Sequence, residues 1–264
     1  MNDWVGTGQI WIGGHRGSPR IQPQNTPASF DAAIAAGAEV VELDVRRTLD
    51  GVLVVFHDAT VGGAAGSLRR VPVASLTYDE FCERLAATPG GKRRGRLVAT
   101  VPAKFEDVVR HLAGRIRLDV EIKDSGHEAA TLEILAQHMP SSDYVITSFK
   151  EPVVATCKEL APQVRVGLLL GSRGAGQSLG VFPFGRAKAC GADFLVAHHL
   201  LADASLLIRA ARRDMPVVVY TVNRARRLEV LLRDPRVAGV ITDVPELAVR
   251  IRAAIAAEPG GLEG

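Results

Sequence analysis

Short apolar runs alternate with stretches of helical spacing along the whole chain. Strands are predicted over 9–14 (QIWIGG), 38–45 (AEVVELDV), 115–123 (RIRLDVEIK), 143–149 (DYVITSF), 164–170 (VRVGLLL), 192–198 (ADFLVAH), 216–223 (PVVVYTVN) and 238–243 (AGVITD). A helical pattern follows each, at about 27–36, 105–113, 127–138, 151–160, 178–190, 203–213, 225–233 and 245–256. Thr26 before Pro27 reads as an N-cap followed by proline at the first helical position, and Gly37 as the stop. Eight β/α repeats in 264 residues match the roughly 250 residues that a closed barrel needs. An open doubly wound sheet would carry G-x-G-x-x-G after its first strand. Here that strand ends in GGHRG. The predicted fold is therefore α/β, a (β/α)8 TIM barrel with a small insertion after strand two.

One segment interrupts the alternation, and the insertion is placed at about 58–102 within a single domain spanning 1–264. The segment opens with a hairpin and includes a short helix at about 78–86, for which Thr77 and Glu80 fit a capping box. A connection this long inside a compact domain is usually functional or mobile.

The strand ends carry the candidate chemistry, because in such a barrel the C-terminal ends of the strands face the active site. In VVELDV, Glu42 and Asp44 share one face of strand two, with Val41, Leu43 and Val45 on the other. Two carboxylates on one inward face suit a hard cation such as Mg²⁺ or Ca²⁺. An ion pair or a solvated rim is the plainer alternative. In LDVEIK, Asp119, Glu121 and Lys123 likewise share a face. Burying these charges is costly unless they are paired or bind a metal. His15 and Arg16 end strand one. The first is suited to acid–base work near neutral pH and the second to bidentate phosphate contact. Asp50-Gly51 is a strong two-residue hairpin signal. With that turn Asp44 pairs with His57, which would set the imidazole beside the carboxylates. Three carboxylates, one divalent ion, Arg16 and Lys123 leave the site with a single net positive charge, which favours an anionic phosphoryl group.

Composition adds limits. Hydrophobic residues are 47% and aromatics only 5%, so Ala, Val, Leu and Ile must fill the core. A net charge of +3, from 32 basic and 29 acidic residues, is too balanced to argue for a nucleic-acid or membrane partner. Cys82, Cys157 and Cys190 are odd in number and widely spaced, which reads as reduced thiols in a cytoplasmic protein. The first residues show no basic region followed by an apolar run, so no signal peptide is expected, and no apolar run is long enough for membrane insertion. The sequence is silent on oligomeric state.

Taken in order, HRG (15–17), PQNT (23–26), VELDV (41–45), FHD (56–58), VEIK (120–123), SF (148–149), YTVN (220–223) and ITDVPE (241–246) resemble the glycerophosphodiester phosphodiesterase family over nearly the whole chain. The resemblance implies a divalent-cation-dependent hydrolase that releases an alcohol and glycerol 3-phosphate from a small glycerophosphodiester. It implies His15 and His57 as the acid–base pair; our own reading takes His15 as base and His57 as acid. It further implies Glu42, Asp44 and Glu121 as metal ligands, and Arg16 and Lys123 as phosphate contacts. Two positions depart from the family pattern: Gln24 stands where a Glu is usual, and Tyr220 where a Trp is common. The alternatives are a lysophospholipase D acting on lysophospholipids, and an inactive barrel that binds a phosphorylated ligand. Other features are set beside this reading. The run Lys92-Arg93-Arg94-Gly95-Arg96 is either a solvated loop or a steering patch for an anionic substrate. His198-His199 could line the pocket, and Asp243 is read as a cap of the last helix.

Overall fold

A computed structural model describes residues 4–6, 8–62, 70–87, 92–93, 96–97, 101–171 and 182–258. Among them, eight parallel strands close into a barrel: β1 (Trp11–His15), β2 (Val40–Arg47), β3 (Arg117–Ile122), β4 (Tyr144–Ser148), β5 (Arg165–Leu170), β6 (Phe194–His198), β7 (Val217–Tyr220) and β8 (Val237–Thr242). Each pairs with the next, and β8 returns to β1. The helices are α1 (Pro27–Ala35), α2 (Tyr78–Ala86), α3 (Phe105–Leu112), α4 (Glu128–His138), α5 (Glu151–Leu160), α6 (Pro183–Cys190), α7 (Ala204–Ala211), α8 (Ala225–Leu232) and α9 (Pro245–Ala256). All except α2 follow barrel strands. The fold matches the expected (β/α)8 barrel. The predicted start of the fifth helical pattern, at 178–181, lies outside the described residues. No described helix is long and apolar enough to cross a membrane.

The alternation along each strand sorts the core into two layers. Outward residues such as Val41, Leu43, Val45, Val120 and Ile122 pack under the helices. Inward residues Trp11, Val40, Val145, Leu169, Phe194, Val196, Val218 and Ile241 fill the barrel together with Trp4 and Val5. Gly239 makes room for this filling, since a Cβ there would lie 2.2 Å from the Trp11 ring. Toward the C-terminal end the inward positions turn polar. That switch places the site.

The hairpin forms, but one residue out of the expected register. Val45, Arg46 and Arg47 of β2 pair with Val55, Val54 and Leu53 of an antiparallel strand, Leu53–Val55. The loop is therefore Leu49-Asp50-Gly51, closed by a Thr48 N–H bond to the Val52 carbonyl at 3.0 Å. Gly51 at φ +87° takes the left-handed step of a three-residue turn. Asp50 stabilises this longer loop by accepting from the Thr48 hydroxyl and the Tyr78 N–H. Consequently Phe56, not His57, bonds Asp44 across the pair, with Phe56 N–H to the Asp44 carbonyl at 2.9 Å.

In the insertion, Val54, Val61, Val73, Leu76, Phe81 and Leu85 form a small apolar core, joined by Phe56 edge-on to Phe81 at 5.1 Å. Thr77 and Glu80 make the expected capping box at α2. Residues 63–69, 88–91, 94–95 and 98–100 of the insertion, and the side chains of the basic run at 92–96, lie outside the described residues.

Candidate active site

The turn after β1 is built by residues that strain the backbone. Arg16 and Asn25 both have left-handed φ angles, +59° and +57°. This costs about 1 kcal/mol or more per residue and persists only where the surroundings enforce it. Here the Asn25 N–H bonds the Arg16 carbonyl at 3.1 Å. The Arg16 N–H lies 3.0 Å from Glu42 Oε2. Asn25 Nδ2 donates to Asp44 Oδ2 at 2.8 Å. The loop therefore delivers two hydrogen-bond donors to two carboxylates of β2.

Parallel pairing does the rest. Glu42 stands beside Asp119 and Asp44 beside Glu121 in the β2–β3 register. Glu42, Asp44 and Glu121 each offer an oxygen within 4.8 Å of the others, and all three residues are buried. Arg16 Nε lies 3.0 Å from Asp44 Oδ2 as an ion pair without hydrogen-bond alignment. Lys123 Nζ is 3.2 Å from Asp44 Oδ1 and 2.5 Å from Glu121 Oε1. Gln24 Oε1 accepts from Arg16 Nη1 at 3.0 Å. As a neutral amide it leaves the Arg16 charge undiminished on that side.

The charges are unequally matched. Burial pushes the Asp44 carboxyl up, but Arg16, Lys123, His57 and the Asn25 bond outweigh it and hold the pKa well below the ordinary value. Glu42 goes the other way: burial, reinforced by Asp44, raises it well above its ordinary value despite Arg16. Burial lifts Asp119 to about 7, with the Thr147 hydroxyl pulling back and Glu121 and Asp44 adding to the rise. Lys123 would lose its proton more readily through burial, yet Glu121 and Asp44 raise its pKa. The cluster thus holds more buried carboxylate than its cations neutralise, and the deficit sits at Glu42. A divalent cation fits that deficit, and an all-oxygen donor set is the kind that hard cations take. Asp44 Oδ1, buried and accepting no hydrogen bond, is consistent with such a site.

Each of the two histidines carries a carboxylate on Nδ1. His15 Nδ1 is 2.8 Å from Asp243 Oδ1, and its Nε2 lies 3.9 Å from Glu42 Oε2. His57 Nδ1 is 2.8 Å from Asp58 Oδ1. With Nδ1–H donating to the carboxylate, Nε2 is the nitrogen that exchanges a proton. His57 stands outside the predicted strand pairing, one residue past Phe56, whose N–H bonds the Asp44 carbonyl.

Two residues, Asp243 and Arg46, take places that the strand-end reading does not give them. Asp243 is not a helix cap; the N-cap of α9 is Val244, without a side-chain bond. The Asp243 carboxylate instead accepts from Asn223 Nδ2 at 2.7 Å and faces His15. Its place after β8, at the same barrel end as the other carboxylates, was the available signal. Arg46 continues the inward face of Glu42 and Asp44, and its carboxylate partner Asp124 lies 78 positions away, beyond the reach of a local pattern. His198 stacks on His199 at 4.5 Å and meets Tyr220 edge-on at 5.7 Å, forming an aromatic wall at the end of β6 and β7. Burial raises the Tyr220 pKa, and Glu121 and Glu42 add to the rise.

Comparison with known proteins follows the geometry. Residues 15–247 match the model of the glycerophosphoryl diester phosphodiesterase family. A glycerophosphodiester phosphodiesterase of Caldanaerobacter subterraneus subsp. tengcongensis is 28% identical over 246 residues, covering 90% of this chain and 95% of that protein. A glycerophosphodiester phosphodiesterase structure from Parabacteroides distasonis superposes with a TM-score of 0.74 at 22% identity, covering 94% of this chain and 98% of that one. An Oleispira antarctica phosphodiesterase, solved with the product sn-glycerol-3-phosphate, gives a TM-score of 0.72 at 21% identity, with 94% and 98% covered.

Proposed function

The chain belongs to the glycerophosphoryl diester phosphodiesterase family, and from that membership we propose that it hydrolyses glycerophosphodiesters to an alcohol and glycerol 3-phosphate. Glu42, Asp44 and Glu121 hold one divalent cation, Mg²⁺ or Ca²⁺. The observation that carries this reading is the convergence of those three buried carboxylates, with His15 Nε2 3.9 Å from Glu42 Oε2. When bound, the cation supplies Lewis-acid polarisation of the phosphoryl oxygens.

The side chains divide the remaining work. Arg16 and Lys123 hold the phosphoryl group by charge-assisted hydrogen bonds. His15 Nε2 takes the proton from the attacking oxygen as that oxygen bonds to phosphorus, the nucleophile being either water or a substrate hydroxyl whose cyclic phosphate water then opens to glycerol 3-phosphate. The bond from phosphorus to the leaving oxygen breaks, and His57 delivers a proton to that oxygen. Asp243 and Asp58 keep each ring in the tautomer that exchanges its proton through Nε2. Free Cys82, Cys157 and Cys190 accord with a reducing, cytoplasmic setting.

A second reading keeps the chemistry and the leaving headgroup alcohol, and adds an acyl chain to the glycerol phosphate side, as in a lysophospholipid. Ile21, Phe182 and Leu200, on loops that follow β1, β5 and β6, are 51%, 80% and 70% exposed. An acyl chain leaving the barrel mouth would meet such side chains. The test is glycerol 3-phosphate release from a panel of glycerophosphodiesters, with Mg²⁺, Ca²⁺ and Mn²⁺ supplied separately and with chelator. A lysophospholipid in the panel, scored by alcohol release, separates the two readings. Cation-dependent turnover of at least one diester is expected. Failure of every diester with every cation would refute hydrolysis and favour an inactive, ligand-binding barrel.

A further inference from the structure

The two imidazoles are held in different ways. His15 is the last residue of β1 and is fixed by the barrel ladder. His57 lies two residues beyond the strand Leu53–Val55. The Phe56 N–H bond to the Asp44 carbonyl, at 2.9 Å, precedes the point where the segment leaves the sheet edge. From His57 onward the chain runs into the insertion, so strand pairing does not set where the ring points.

Arg46 supplies what the ladder does not. It is buried on the inward face of β2, two residues past Asp44. Its Nε and Nη2 both donate to the His57 carbonyl, at 3.0 and 2.7 Å. Its Nη1 donates to the Asp124 carboxylate, just beyond β3. Asp124 Oδ1 in turn lies 3.8 Å from Lys150 Nζ, just beyond β4. The guanidinium therefore ties the first turn of the insertion to two neighbouring loops of the barrel. We infer that Arg46 is a positioning residue that clamps the His57 backbone and so holds its imidazole in proton-transfer geometry beside Asp44.

The choice of partners argues against simple charge balance. Asp44 already has Arg16 at 3.0 Å and Lys123 at 3.2 Å. Arg46 instead directs two of its donors at one neutral carbonyl oxygen. Two converging bonds fix that oxygen in two directions, where one would let it swing. The planar fork of arginine can do this while reaching a carboxylate with its third nitrogen; a lysine ammonium, a point charge on a flexible stem, cannot. A displacement of about 1 Å at a reacting group can cost about a hundredfold in rate.

The inference rests on the proposed role of His57 as general acid, and that role supplies the test. Turnover is measured with saturating cation on two diesters, one with an alkyl leaving alcohol and one with a p-nitrophenyl leaving group. The aryl oxygen departs as a stabilised anion and needs no proton. Arg46→Met is expected to lower kcat on the alkyl diester about 10- to 100-fold with KM unchanged. On the aryl diester the loss should be at most about threefold. Arg46→Lys should recover turnover only in part. Asp124→Ala, which leaves Arg46 in place without its anchor, should give a milder form of the same selective loss and serves if Arg46→Met does not fold. An equal loss on both substrates, or none, in the variant that folds overturns the clamp. His57→Ala in parallel separates the two claims. If it turns over the alkyl diester at the wild-type rate, the acid assignment fails and the clamp with it. If His57→Ala is inactive and the Arg46 and Asp124 variants are unimpaired, the clamp alone fails.

Discussion

Replacing Asp243 by Asn tests the tautomer of His15 with almost no change in shape. The Asp243 carboxylate faces donors on both sides. His15 Nδ1 is 2.8 Å from Oδ1, and Asn223 Nδ2 donates to Oδ2 at 2.7 Å. Arg20 Nη2 also lies 3.9 Å from Oδ2. An amide has one acceptor oxygen and one NH₂ group. With Asn223 and Arg20 both on the Oδ2 side, the oxygen turns there and the NH₂ faces His15. The ring must then accept at Nδ1 and carry its proton on Nε2, which removes the base. Asp243 is 1% exposed and His15 7%, so water does not make good the loss. A hydrogen bond to a charged group contributes about 1.5–3 kcal/mol. At about 1.36 kcal/mol per tenfold in rate, that is a fall of about 10- to 150-fold in kcat. The assay is glycerol 3-phosphate release under saturating substrate and cation, with KM and a thermal melt measured on the same preparation. KM and the melting temperature should stay near wild type. A folded Asp243→Asn enzyme with kcat within about threefold of wild type would refute both the tautomer argument and His15 as base.

Three further outcomes follow from the same structure. Removal of the divalent cation by chelator should abolish turnover. It should also lower the melting point by about 5–10 °C where the cation had been present at about 100 times its Kd, since binding to the folded state adds about 2.7 kcal/mol; an unchanged melt would count against the Glu42, Asp44 and Glu121 site. Gly239→Ala would set a Cβ 2.2 Å from the Trp11 ring, and overpacking of this kind destabilises by about 1–3 kcal/mol or more, read as a lower denaturant midpoint. Asp31 tends upward through its slight burial, but bonds from His111 and Arg115 hold its pKa below the ordinary 3.8. The folded pKa is depressed, so the stabilisation is present above pH 3.8 and is lost as pH falls through the folded value. Asp31→Asn should therefore lower the melting temperature at pH 7 by at most about 2–4 °C, the scale of an exposed pair, with the gap closing below about pH 4. A gap that widens in acid would contradict the sign.

The fold and much of the site are local matters, and local matters are legible in a sequence. A strand's side chains alternate with period two. VVELDV and LDVEIK therefore already place Glu42, Asp44, Glu121 and Lys123 on inward faces, opposite the valines and leucines that lie under the helices. Thr26-Pro27 and the Thr77/Glu80 pair mark helix starts because capping bonds span only three residues. Eight repeats of this kind, in this length, leave few ways to close a parallel sheet.

What the tertiary structure decided is how those faces meet. The hairpin register turned on a single loop residue: Gly51 in the left-handed region, with Asp50 bonded to Thr48 and to Tyr78 of α2, makes three residues the favoured loop. Asp50-Gly51 reads equally well as part of a two-residue turn, and α2 lies too far along the chain to enter that reading. The bond from His15 to Asp243 spans 228 positions and exists only because β8 closes on β1. The Arg46 fork depends likewise on β3 ending beside the insertion, which brings Asp124 and the His57 carbonyl within reach of one guanidinium. Periodicity assigns a residue to a side of its strand. Partners across a closed barrel are set by closure and register, which no local pattern encodes.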